Sequence, residues 1–599
     1  MRNLSVANSD TAARICPKGG TWTENTALFD GAVLYDPGHF GGMFSVFPDV
    51  PRWGEDTDTG PVPIGRSVVG LTTFGWTLAS AGQKGEFSWD LGGRQTWIRQ
   101  SLSVARELGL SQDRLDYGIN DWMGGLAWGR SGDTLRASIY KSRDNLSTGP
   151  YSFNWGNLAV PLNVRWKLGD RLTFSGTGSY SKFDQTAGFD PILNLYNSVG
   201  IWDGHGDVRY DAGSGHCVSL GTGYDAFRVN ITQSSPVEDV TTADITRSDL
   251  WAEWLQDDWT INSQQTITAM LKAYWYGKTR NTAVDPHISY TWRPNEDWAL
   301  DARAGRTTRY LTILRSGDFE APGDFWYVDR KPMAPSLEDR ASLGVERRHL
   351  GPWNLRVGVE ILFEKVRNQP MYFPSNTSYG GQTLGNAGLD PFVRNFVWLD
   401  GHSSGGEMSV GKDGGIWTGN VIYAYSESVL LQQPYNNPLG TFNFAPYPTP
   451  ISRRNAVQVV GTLNWVGPRA VDAIATAELP WGNYFRSCAQ LTAYTRPQRM
   501  LDPTWESLDG SRDLLGDEGP ILFSEPEWNK AKPAFFQLDV TPIDWGRAGH
   551  WRFFFTVVNV TDHRNLWLRN LDTRTNPPAQ DNTYSLARFP LLLGYQRWF

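Results

Sequence analysis

Three sets of residues have the types and spacing that chemistry would need. Gly401-His402-Ser403-Ser404-Gly405 has the G-x-S-x-G form of a nucleophile elbow, in which a sharp strand-to-helix turn exposes the serine above a sheet. The sequel, Glu407 to Lys412, then Asp413–Gly415 and Ile416 to Tyr425, reads as strand, turn and strand. A hairpin cannot supply the elbow, so a hydrolase is not expected. Asp257-Asp258 and Asp517-Glu518 pair carboxylates in sequence, but adjacency does not set the separation that a glycosidase needs across a sugar. Solvated acids are the plainer reading. Cys16, Cys217 and Cys488 lie far apart, without C-x-x-C spacing or clustered histidines, so neither a disulfide framework nor a zinc site is indicated. The Asn-x-Ser/Thr triplets at Asn3, Asn145, Asn230, Asn376 and Asn559 read as chance matches if the host is bacterial. No enzyme activity, metal or cofactor is expected.

The composition points elsewhere. Trp 28, Tyr 23 and Phe 28 make the 599-residue chain 13% aromatic, yet its mean hydropathy is only -0.42. No run of about 18 apolar residues is present, which excludes a transmembrane helix. Many aromatics in a polar chain fit a membrane barrel with aromatic girdles, or a secreted β protein that binds carbohydrate. A formal net charge of -8 argues against a nucleic-acid partner, which needs a basic face to neutralise phosphates.

Period-2 alternation recurs after about residue 73 and gives the elements that would position any site. From Gln265 to Gly277, Ile267, Ala269, Leu271, Ala273 and Trp275 share one face. Thr266, Thr268, Lys272, Tyr274 and Tyr276 share the other, with Met270 as the exception. Ile288, Tyr290 and Trp292 lead through Pro294–Asp297 into Leu300, Ala302 and Ala304. Leu343 and Val345 turn at His349–Pro352 into Leu355, Val357, Val359, Ile361 and Phe363. Strands of about 10 residues joined by short polar turns suit a transmembrane barrel, whereas sandwich strands average about 5–6. At the C-terminus Leu591, Leu593, Tyr595 and Phe599 share a face that Arg597 interrupts. The fold class expected is therefore all-β, a transmembrane antiparallel barrel.

Long irregular segments, Arg315–Pro335, Leu431–Arg454 and Thr495–Lys530, separate some of these pairs. Their rigid aromatics could form a ligand rim at low entropic cost, and the candidates are Phe325, Trp326, Tyr327, Phe442, Phe444 and Tyr447.

Several blocks, in order, resemble the TonB-dependent receptor family, in the branch with a carboxypeptidase-regulatory-like N-terminal domain. Gly19-Gly20-Thr21-Trp22-Thr23-Glu24-Asn25, Leu28 to His39 and Phe40 to Phe47 are similar to the second half of that family's plug. Lys18 and Val33 depart from the usual Arg and Pro. Phe87 to Trp97, Leu255 to Trp259, Met333 to Arg347, Glu407 to Ser426 and Val558 to Asp562 resemble successive barrel elements.

The resemblance implies about 22 strands around a plug, in the outer membrane of a Gram-negative cell. It implies a monomeric receptor that imports a scarce ligand, such as a siderophore, cobalamin or glycan, with energy from TonB through an N-terminal box. Residues 1–72 are expected to be the C-terminal half of the plug and 73–599 the barrel. Met1 to Ala13 has no apolar signal region, so the expectation is that signal, box and first half of the plug belong to a longer protein. The rival is a secreted or surface glycan-binding β protein.

Overall fold

In the computed structural model the described residues are 27–35, 38–39, 44–45 and, from 66 onward, the strands with most of their short turns. Twenty-two antiparallel strands, the first Arg66–Thr72 and the last Leu591–Trp598, form one closed barrel. Each pairs with its chain neighbours, so the sheet is an up-and-down meander; the two-residue segment Tyr447–Pro448 adds to the edge of Trp417–Gln432. Closure falls between the last strand and the first, with Gly594 opposite Thr72 and Trp598 opposite Val68. Ser67 and Phe599 exchange backbone hydrogen bonds there, at 3.2 and 2.8 Å. Closure leaves no edge with unpaired N–H and C=O groups, which a strand in hydrocarbon cannot tolerate.

An even strand number brings both ends of the wall to one side of the barrel. That side also carries tight connections, such as Ser214-Gly215 with φ of 53° and 83°. In those left-handed positions a two-residue turn matches the strand twist.

The alternation divides the two faces. On Leu193–Gly213, Val199 and Ile201 are buried inside while Trp202 is 66% exposed outside. Leu220, Leu255, Leu271, Ile288, Val359 and Val421 are likewise exposed on the outer face, whereas Asp90, Asp121, Ser138, Asn157 and Ser181 are buried on the inner one. Outward aromatics form two rows. Trp166, Tyr210, Trp298, Trp417 and Trp545 lie near the tight-turn end, and Trp122, Trp202, Trp251, Trp275 and Tyr425 stand further along. Tyr210 and Trp202 are separated by eight positions on one strand, as are Trp417 and Tyr425. Eight positions cover about 26 Å of strand, or about 20 Å of height at a tilt of about 40°. This is the apolar band between girdles that a bilayer-crossing barrel presents.

Three expectations change. Strands of about 10 residues hold for Gly75–Lys84 and Phe87–Thr96, but Leu193–Gly213, His216–Ser235 and Val240–Asn262 have 21, 20 and 23. Roughly 10 residues suffice to cross a bilayer, so these three carry the wall well beyond the second aromatic row. The barrel also starts earlier than 73, because Arg66–Thr72 is a wall strand. The last strand would otherwise keep an open edge. Arg597 fits the outer face after all, since its guanidinium lies over the Phe599 ring at 5.3 Å, an apolar stem with its charge at the girdle.

A closed barrel of this size should resist detergent. Unheated, the folded chain is expected to migrate ahead of the boiled chain on a gel; identical mobility would refute the closed wall.

Candidate functional site

The inner face carries a docked hairpin. Ala27–Phe29 and Ala32–Leu34 pair across Asp30-Gly31, whose φ values of 47° and 91° suit an Asp-Gly turn. Phe29, Ala32 and Leu34 are buried against Met123, Tyr140 and Ala159, which face inward from the wall. Polar bonds fix the turn. Asp30 Oδ2 accepts from Arg136 Nε at 2.9 Å and Ser138 Oγ at 2.5 Å. Asn163 Nδ2 donates to the Asp30 carbonyl at 2.8 Å and is itself held by Thr177 Oγ1 through its Oδ1. Arg136 also reaches Asp90 at 2.7 Å, so one guanidinium bridges the wall and the hairpin. A Cβ on Gly31 would lie 3.0 Å from the Thr177 methyl, so nothing larger than Gly seats the turn this closely.

A second segment enters from the long-connection side. Leu311–Leu314 pairs with Phe325–Val328, and the latter lies against Leu193–Gly213 and His216–Ser235. Asn197, fully buried on the wall, clamps its backbone. Asn197 Oδ1 accepts from Trp326 N at 2.7 Å, and Asn197 Nδ2 donates to the Trp326 carbonyl at 3.1 Å. This bidentate bond mimics strand pairing and fixes the ring that follows.

The two segments meet. The Trp326 ring stands edge-on to Tyr35 with centroids 5.2 Å apart, and Tyr35 packs at 6.1 Å against Phe183 of the wall. Tyr35 is anchored by its N–H to Asn157 Oδ1 at 3.1 Å. The Tyr35 hydroxyl and the Trp326 indole nitrogen are buried without a hydrogen-bond partner among the described residues. Burial, with Asp225 nearby, holds the Tyr35 phenol well above its ordinary pKa, so it stays an O–H donor. Two buried donors without partners thus stand on neighbouring rings, the feature of this inner face that sets it apart from a packed aromatic core.

Of the expected rim residues, Trp326 and Tyr327 are inside the barrel, Tyr327 fully buried. Phe325, Phe442 and Tyr447 lie in the short strands Phe325–Val328, Gly440–Phe442 and Tyr447–Pro448, where only the backbone is described. Phe444 lies outside the described residues, as do Asp517 and Glu518. Tyr35, Phe183 and Asn197 were not singled out by sequence. Phe183 and Asn197 carry only the parity of inward-facing wall positions, which dozens share, and Tyr35 only its place in the plug-like block Leu28 to His39.

Two of the discounted motifs fall on described strands. Ser403 is buried in mid-strand, opposite Glu364 on one side and Ser428 on the other, with no helix after it. Asp257 and Asp258 are successive strand residues and point to opposite faces; His216 takes the first, Gln256 and Thr268 the second.

No family model matches the chain, and none of the curated proteins does. Solved structures do. An iron transporter of Neisseria meningitidis aligns with TM-score 0.57 at 9% identity, over 89% of this chain and 81% of that one. An outer-membrane transporter of Escherichia coli gives 0.56 at 9%, over 89% and 76%. A ferric enterobactin receptor mutant of Pseudomonas aeruginosa, solved with enterobactin, gives 0.56 at 11%, over 89% and 81%. The chain has the fold of outer-membrane transport receptors.

The hairpin's attachment is testable. Asp30→Ala removes one partner of a hydrogen-bonded, largely buried ion pair, a change that costs about 3 kcal/mol. Amides of Phe29 and Leu34 should then exchange about 100-fold faster, with wall amides such as Val199 unchanged; unaltered exchange would show that the turn contacts do not hold the hairpin.

Proposed function

We propose that this chain is the barrel and part of the plug of an outer-membrane importer, energised through TonB in the full-length protein, whose ligand is a small iron chelate of the siderophore kind. The observation that carries the reading is the junction of Tyr35, Phe183 and Trp326, where a docked N-terminal segment and an inward-folded connection meet inside a 22-stranded wall. The fold shared with an iron transporter and a ferric enterobactin receptor supports a ligand of that class. In this reading residues 1 to about 65 contribute plug, and the hairpin at 27–34 is its docked portion.

The chemistry asked of the site is binding and release. The rings supply contact area at low entropic cost, and the Trp326 N–H and Tyr35 O–H offer donors to acceptor oxygens of an anionic chelate. Asn197 and Asn157 position those donors through backbone bonds and take no direct part. Release would follow if the plug segment were pulled, because Tyr35 sits on the chain that carries Asp30. Breaking the Asp30–Arg136 contact would withdraw one wall of the site.

The rival reading, a secreted or surface glycan-binding β protein, leaves the outward apolar band without a solvent. Membrane fractionation with a heat-modifiability gel separates the two, since a soluble sandwich would not migrate as a compact barrel unheated.

Ferric enterobactin titrated into detergent-solubilised protein should quench tryptophan fluorescence saturably. Trp326→Ala should weaken binding about 10–100-fold, as loss of a buried aromatic anchor does. Saturable binding of oligosaccharide with none of ferric chelate would overturn the ligand class.

A further inference from the structure

The outer face of the wall is not uniformly covered by side chains. Gly176 and Gly178 on Leu172–Phe189 stand directly opposite Gly206 and Gly204 on Leu193–Gly213. All four share the outward parity of Tyr180 and Trp202, so two neighbouring strands present bare backbone over the same stretch. A Cβ at Gly178 or Gly204 would meet nothing within 4 Å. The result is a groove of about 450 Å³. Leu162 and Val164 wall one side, Tyr224 and Trp251 the other, and Phe174 closes the end toward the tight turns. Tyr180 and Trp202, with rings 4.6 Å apart, stand at the opposite end.

Glycine weakens a strand interior and often marks a place where something approaches the backbone closely. Four in register on one face concentrate that weakness at one spot, and no other part of the chain fills it among the described residues. The groove lies between the two aromatic rows and is continuous with the apolar band, so its surroundings are hydrocarbon in any membrane setting of the barrel. From Phe174 to Tyr180 it runs about 20 Å along the strand, and it is about three strand spacings, or about 14 Å, wide. Its floor is then about 300 Å², well under the roughly 800 Å² per partner of a stable protein interface. That area is too small for a second barrel and suits one extended hydrocarbon chain.

We propose that this groove binds one acyl chain of a membrane lipid, laid along the backbone of two strands between the Leu162–Val164 and Tyr224–Trp251 walls. The proposal rests on the membrane-spanning reading and not on the imported ligand. The inner face of the same strands carries Thr177, which supports the docked hairpin through Asn163. A bound chain would therefore brace the wall where the hairpin is seated.

Delipidated protein in detergent, titrated with dipalmitoyl phosphatidylethanolamine and followed by native mass spectrometry, tests it. One adduct per chain is expected to saturate first and to survive collisional activation. Gly178→Leu with Gly204→Leu fills the groove and should lower that adduct at least 10-fold, while Ala269→Leu, on the outer face elsewhere, should leave it unchanged. Unaltered retention in the double variant would overturn the proposal. A protein dimer in place of the adduct would overturn it in favour of a second copy. On the wild-type chain alone, dipalmitoyl phosphatidylglycerol should bind as well as the phosphatidylethanolamine, and dihexanoyl lipid at least 10-fold less. Preference by headgroup instead of chain length would also refute it. Loss of heat-modifiable mobility in the wild type would instead refute the membrane reading, which keeps the two failures apart.

Discussion

Everything in this protein hangs on one continuous ladder of backbone hydrogen bonds. A strand in hydrocarbon has no water to satisfy an open edge, so the sheet must return on itself. The return is made by Arg66–Thr72 against Leu591–Trp598, with Ser67 and Phe599 bonded at the seam. Those two strands are separated by almost the whole chain. The wall therefore closes only after the last residues are in place, which makes the C-terminal strand a structural keystone as well as an end.

Closure creates two surfaces with opposite demands. Outside, side chains should be apolar or absent, and the band between the aromatic rows meets that demand largely with Leu, Ile and Val and in one place with four glycines, Glu253 beside the Trp251 indole being a charged exception. Inside, buried polar groups must find partners, and they do so largely across strands. Arg94 donates to Asp121 at 2.9 Å, and Asp544 accepts from both Arg486 and Arg552. The same need explains how the hairpin is held. Among the described residues, Arg136 would keep only Asp90 as an ionic partner were it not for Asp30.

The site arises where the inner surface is built from three sources. The tall strands around Leu193–Gly213 raise the wall, the hairpin supplies Tyr35, and an inward-folded connection supplies Trp326. Each source is fixed by polar bonds to the wall before the rings meet, so the rings are preorganised without touching a common backbone. In the proposed importer this arrangement would couple ligand contacts to the position of the hairpin, because Tyr35 and Asp30 lie on the same short segment.

The sequence by itself determined the barrel and its faces. Alternation is a local property, and Ile267 to Trp275 declare an outer face without reference to any other strand. It also determined that Ser403 is not on a strand-to-helix elbow, since the residues after it read as a strand. Resemblance alone supplied the expectation of the receptor family and of a plug. Only the tertiary structure decided the first wall strand, because Arg66–Thr72 is recognised by its partner at the far end of the chain. The same holds for the site. Asp30 and Arg136 are 106 residues apart, and Asn197 and Trp326 are 129 apart. No spacing rule links such pairs, and the polar residues that form them look like any other inward positions until closure brings them together.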